Sequence, residues 1–168
     1  MVHDPLSHVE AFAAAGADLV TVHVESGRHT HRALQVLGTL PNARDPQRGI
    51  ARGVALNPGT PVHAVAPLLD ELDVVVLLAI NPGWRGQAFL SSTFRRVDEV
   101  RRLARQAGRD VLVCIDGGVT RDNVAQVGAV ADLVVHPRHK ADVRQLVAYC
   151  HGERIPIYVY GGGSSVTF

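Results

Sequence analysis

Apolar runs and amphipathic stretches alternate along almost the whole chain. Runs rich in Val, Ile and Leu predict strands over 19–25, 53–57, 74–80, 110–116, 132–137 and 155–160. Several of these runs are continuous, as parallel strands covered on both faces require. Helical spacing of apolar positions predicts helices over 5–14, 28–39, 61–71, 92–107, 121–129 and 139–152. Ser7-His8-Val9-Glu10 has the spacing of a capping box, in which the serine closes free amides and the glutamate reaches back. Strand–helix alternation predicts right-handed βαβ units and an α/β fold built on a parallel sheet.

In such folds chemistry collects at the carboxyl ends of the strands. The residues expected there are His23 and Glu25, then Asn57-Pro58-Gly59-Thr60, then Asn81-Pro82-Gly83-Trp84-Arg85-Gly86-Gln87, then Asp116-Gly117-Gly118. The fifth strand ends at His136-Pro137, and the sixth runs into Gly161-Gly162-Gly163-Ser164-Ser165. Small residues, amides and single carboxylates recur along this edge. They suit a polar or phosphorylated small molecule, because glycine turns let backbone N–H groups approach an anion.

Composition narrows the field. With 168 residues, 46% hydrophobic and 20% charged, the chain is an ordinary globular protein, neither disordered nor fibrous. Its longest apolar run, 74–80, is far below the ~20 residues needed to cross a bilayer. A net charge of +1 gives no electrostatic reason to expect nucleic acid or a membrane surface as partner. Two cysteines, Cys114 and Cys150, make no disulfide scaffold and fit a reduced cytoplasm; no charged-then-apolar leader suggests secretion. Of 17 basic residues only Lys140 is a lysine, and it stands in the polar Arg138-His139-Lys140 cluster, which argues against Schiff-base chemistry.

Residues 1 to about 131 resemble ribulose-phosphate 3-epimerase and its relative allulose-6-phosphate 3-epimerase. The matching text is Asp4-Pro5, Ala15-Gly16-Ala17-Asp18, Thr21-Val22-His23-Val24-Glu25, Leu56-Asn57-Pro58-Gly59-Thr60-Pro61, Asn81-Pro82-Gly83, Gly86-Gln87-Ala88-Phe89 and Asp116-Gly117-Gly118-Val119. Each piece alone is weak, but together they stand in the family's order and spacing. The resemblance implies a TIM barrel that epimerises C3 of a ketose phosphate, a pentulose or hexulose phosphate. A divalent metal (Zn, Fe, Mn or Co) holds the enediolate while two aspartates move the proton. It assigns Asp116 as metal ligand and acid/base group, and Gly83, Trp84, Arg85, Gly86, Gly117 and Gly118 to the phosphorylated substrate and its closing loop. By the same resemblance the other three metal ligands and the first strands would precede Met1. About six strands fall short of an eight-strand barrel of ~250 residues. The expectation is therefore a partial TIM barrel that does not close, a chain without epimerase activity on its own, and a possible homo-oligomer through its open edges. Arg85 departs from the small residue usual in the family's loop.

From about Asp132 the text changes character. Val134-Val135-His136-Pro137, a helix through Asp142-Val143 to His151, and Ile155-Pro156-Ile157-Tyr158-Val159-Tyr160 lead into Gly161-Gly162-Gly163-Ser164-Ser165. This resembles the opening of the flavin domain in FAD-linked oxidases, where such a turn holds the FAD pyrophosphate. The chain then divides into a partial epimerase-type barrel over 1–131 and an oxidase-like β-α-β segment over 132–168. The alternative functions are a fragment of an FAD-linked oxidoreductase and a non-catalytic α/β piece.

Plainer readings stand beside these. Asp116 can cap the turn that follows it, as Asp-Gly sequences do. The Gly161–Ser165 run can be a flexible tail. Trp84 can stack on a sugar or cover an apolar edge. His23 reads as packed at a strand end, and His8, His29, His31, His63, His139 and His151 as solvated. Arg95, Arg96, Arg101, Arg102 and Arg105 recur opposite Val97, Val100 and Leu103 and read as a solvated helix face.

Overall fold

The computed structural model describes residues 2–42, 46–47, 49–84, 86–120, 123 and 126. Among them four strands, β1 (Leu19–His23), β2 (Ala51–Leu56), β3 (Val74–Leu78) and β4 (Leu112–Asp116), form a parallel sheet in the order β1-β2-β3-β4. Three α-helices accompany them: α1 (Val9–Ala14), α2 (Thr30–Thr39) and α3 (Ser92–Gln106). The sheet is α/β in class and is not closed by hydrogen bonds, as a partial TIM barrel requires. The strands expected at 132–137 and 155–160, the helix at 139–152, most of 121–129 and the Gly161–Ser165 turn lie outside the described residues.

Register explains the layering. Val22, Val54 and Val75 stand side by side, as do Leu56 and Leu77; Val113 and Ile115 continue those rows on β4. This face packs on Val9 and Ala13 of α1, Leu34 and Leu37 of α2, and Val97 and Val100 of α3. Residues one step along each strand lie on the other face: Thr21, Gly53, Val74 and Leu112 in one row, His23, Ala55, Val76 and Cys114 in the next. That second face is more open, with Thr21, Leu112 and Asp116 exposed. Gly53 is required there, because a Cβ would stand 2.5 Å from Thr21 Oγ1.

Three expectations are corrected. The segment expected as a helix over 61–71 is a 3-10 helix, Val62–Glu71, with Pro67 inside it. Proline supplies no N–H for an α-helical bond, and Val62, Val65 and Leu68 are buried at a spacing of three, the period of a 3-10 turn. The capping box does not form. A short 3-10 turn, Pro5–Ser7, runs directly into α1; Ser7 Oγ donates to Asp4 O at 2.9 Å, and His8 occupies the N-cap without a side-chain bond. Finally, β2 begins at Ala51 and so takes in Arg52, whose charge is satisfied locally. Its N–H donates to Asp73 Oδ2 at 2.8 Å, and its guanidinium bonds Glu71.

Candidate functional site

The carboxyl ends of the four described strands gather Glu25, Asn57, Thr60, Asn81, Gln87 and Asp116, while His136-Pro137 lies outside the described residues. Glu25, just past β1, ties the ends of β1 and β2 together. Its Oε1 accepts the Asn57 N–H at 2.9 Å and the Thr60 hydroxyl, and its Oε2 accepts from His23 Nδ1 at 3.1 Å. Burial alone would raise the Glu25 pKa, but the hydrogen bonds from Thr60, Asn57, its own backbone and His23 outweigh it and hold the carboxyl below its ordinary value. The sequence places Glu25 at a strand end without showing these partners, which lie 32 and 35 residues away.

Arg96 clamps the same turn from below. It is 6% exposed, and its Nη2 donates to Asn57 O at 2.8 Å and Thr60 O at 3.0 Å while Nη1 donates to Leu78 O at 3.3 Å. Its expected place on a solvated face is therefore wrong. Successive helical residues are rotated by ~100°, so Arg95 faces outward while Arg96 joins the buried stripe Thr93, Val97, Val100 and Ala104. The sequence signal was present in that stripe's spacing, which includes position 96. Burial lowers the Arg96 pKa, and nearby Glu25 and Glu99 oppose the shift.

After β3 the chain enters the loop 81–87, which the Gln87 side chain braces. Its Oε1 accepts from Asn81 N at 3.0 Å and Asn81 Nδ2 at 3.3 Å, and its Nε2 donates to Asn81 O at 2.6 Å and Trp84 O at 2.9 Å. Gly83 and Gly86 supply the left-handed φ values of 93° and 73° that the loop needs. Trp84 is 71% exposed, so it does not cover an apolar edge. Arg85 lies outside the described residues.

β4 ends at Asp116, whose carbonyl accepts the Ala79 N–H at 2.7 Å. Its side chain takes no hydrogen bond among the described residues and caps no turn there; Asn123 Oδ1 accepts from Thr120 N instead, at 2.7 Å. The packed side of Asp116 desolvates its carboxyl and pushes the pKa up, partly offset by the His23 charge. Gly117 and Gly118 follow with φ of 101° and 66°, pressed against Ile80 and the Phe89 backbone. Below Asp116 on the same face, burial raises the Cys114 thiol to about 11. His8, His29, His31 and His63 are exposed, in keeping with their expected solvation.

The sequence profile of the Ribulose-phosphate 3 epimerase family matches residues 1–139. The chain belongs to that family. Among its relatives, the ribulose-phosphate 3-epimerase of Bacillus subtilis (strain 168) is 39% identical over 137 residues, 80% of this chain and 59% of the relative. That of Escherichia coli (strain K12) is 37% identical over 128 residues, 76% of this chain and 53% of the relative. That of Aquifex aeolicus (strain VF5) is 35% identical over 136 residues, 80% of this chain and 58% of the relative. The chain spans somewhat more than half the length of these curated relatives.

Epimerase resemblance implies a divalent metal with Asp116 as one ligand. Among the described residues no three His, Cys, Asp or Glu side chains converge to hold a metal ion. These residues do not make up a complete metal site. No helix among them is long and apolar enough to cross a membrane.

The two carboxylates give predictions of opposite sign. Glu25 has a lowered folded-state pKa, so its ionised form stabilises the fold above the unfolded carboxylate range, and that contribution is lost as pH falls through the folded value. Asp116 has a raised one, so its ionisation costs stability above the folded value, and the cost disappears in acid. Thermal melts should show Glu25→Gln lowering Tm and Asp116→Asn raising it at neutral pH, with both differences shrinking as the medium is acidified.

Proposed function

We propose that this chain supplies the Asp116 carboxylate and the glycine phosphate cradle of a ketose-phosphate 3-epimerase site. The observation that carries the reading is the end of β4. An acid/base carboxyl shifted upward, nearer to the pH at which it exchanges protons, is followed at once by two left-handed glycines. In this reading Gly117 and Gly118 turn backbone N–H groups toward the substrate phosphate, and the 81–87 loop with Gly83, Trp84, Arg85 and Gly86 borders it. Asp116 then takes the proton from C3, or returns it, on one face of the enediolate. The opposite face needs a second group of the same kind. Among the residues that carry the resemblance, Asp116 is the one it assigns to proton transfer.

Titration with ribulose 5-phosphate, followed by calorimetry and by deuterium exchange at C3, tests this. The expected result is saturable binding without measurable exchange by this chain alone. A chain that binds neither ribulose 5-phosphate nor inorganic phosphate would sink the reading. Metal-dependent exchange at C3 would show that the chain carries a whole active site.

A further inference from the structure

His23 stands on the open face of the sheet, in a row with Ala55, Val76 and Cys114 and on the same face as Asp116. Its side chain is 15% exposed. The ring meets Glu25 through Nδ1, and among the described residues Nε2 has no hydrogen-bond partner. Row neighbours explain this, because Ala55 and Val76 offer no polar side-chain atom and Cys114 only a weak one. Asp116 stands on the same face in the next row toward the carboxyl ends of the strands.

The Glu25 carboxylate decides where the neutral ring carries its proton. It already accepts from the Asn57 N–H and the Thr60 hydroxyl, and it is ionised, so it can only accept from His23 as well. Nδ1 must then hold the hydrogen, and Nε2 is left as a lone-pair acceptor. We propose that His23 is a further substrate-facing group, a hydrogen-bond acceptor for a hydroxyl of the sugar phosphate, and that Glu25 is the positioning residue that sets its tautomer. The substrate half of this inference rests on the epimerase-type reading above; the tautomer half does not.

Glu25→Gln is a sharp test because it keeps the shape. The glutamine oxygen stays committed to Asn57 N–H and Thr60, so its NH2 group faces His23 and must be met by a bare Nδ1. The proton then moves to Nε2, which becomes a donor. Ring-nitrogen NMR of the labelled chain at alkaline pH should show Nδ1–H in the parent and Nε2–H in Glu25→Gln. Glu25→Ala, which removes the acceptor altogether, should release the ring to Nε2–H, and it serves where Glu25→Gln fails to fold. Ribulose 5-phosphate should shift the Nε2 resonance of the parent and bind roughly tenfold more weakly to Glu25→Gln. Inorganic phosphate, which lacks the sugar hydroxyls, should bind both alike.

Nε2–H in the parent, or the same tautomer in all three proteins, would overturn the positioning role. Equal ribulose 5-phosphate affinity in parent and Glu25→Gln, with Nε2 unmoved, would overturn the substrate contact and leave the proposed function standing. Loss of all phosphate binding in the parent, with the tautomers as expected, would overturn the proposed function and the substrate contact with it.

Discussion

Gly118→Ala should lower stability by about 3 kcal/mol, roughly a 10 °C drop in Tm, and abolish the phosphate binding that the proposed glycine cradle would provide. The glycine sits at φ 66°, where an alanine is already strained, and its added Cβ would lie 2.8 Å from Phe89 Cα and 2.9 Å from Phe89 N. Both are backbone atoms, so no side-chain rotation relieves the clash; the 86–90 segment or the β4 turn has to move. Gly118 O also accepts from Asn123 Nδ2 at 3.0 Å, so a shift of this turn disturbs its closure as well. Gly117→Ala should be comparably damaging, with φ 101° and a Cβ 2.3 Å from Ile80 Cγ1. Gly59→Ala is the control: nothing lies within 4 Å of its Cβ, and the change should stay within ~0.5 kcal/mol. Thermal melts of the three variants, with phosphate titrations of those that fold, check the ordering. A Gly118→Ala protein as stable as the parent would show that the turn does not pack as described.

Arg96→Met should cost about 1–3 kcal/mol, the range for leaving a buried acceptor without its donor. The methionine fills similar volume but leaves the carbonyls of Asn57, Thr60 and Leu78 without the donors they have in the native chain. It also removes the positive charge that the nearby Glu25 carboxylate favours. Arg96→Lys retains the charge but not the planar fork, and should recover part of the loss. Arg95→Met, one position away and exposed, should be nearly neutral. Urea unfolding followed by circular dichroism is the suitable measurement. Fluorescence is a poor choice, because the single tryptophan, Trp84, is already 71% exposed in the fold.

The first four strands were legible because burial of apolar rows dominates their energetics, and a run such as Val74–Leu78 has few alternatives. The collection of Glu25, Asn57, Asn81 and Asp116 at one sheet edge followed from strand–helix alternation alone. What sequence reading could not supply was partnership across distance. The strand expected over 53–57 omits Ala51 and Arg52, and the Glu71 and Asp73 side chains that satisfy Arg52 lie about twenty residues on. The arginine spacing opposite Val97, Val100 and Leu103 puts Arg96 with its exposed neighbours, and it is the three carbonyls it meets that offset the cost of burying it. The capping-box spacing is present but idle, since Pro5–Ser7 forms a 3-10 turn in which the Ser7 hydroxyl bonds Asp4 O. Local pattern decided the elements, and long-range hydrogen bonds decided the site.

The Gln87 brace bears on how tightly a ligand can be held. A glycine-bearing loop left as loose string loses conformational entropy each time a molecule orders it, and that loss subtracts from affinity. Here one side chain knots Asn81 to Trp84 through four hydrogen bonds before any ligand arrives. Asn81 and Trp84 are thereby held in place by the fold itself, and the entropy of ordering them belongs to folding and not to any contact made later.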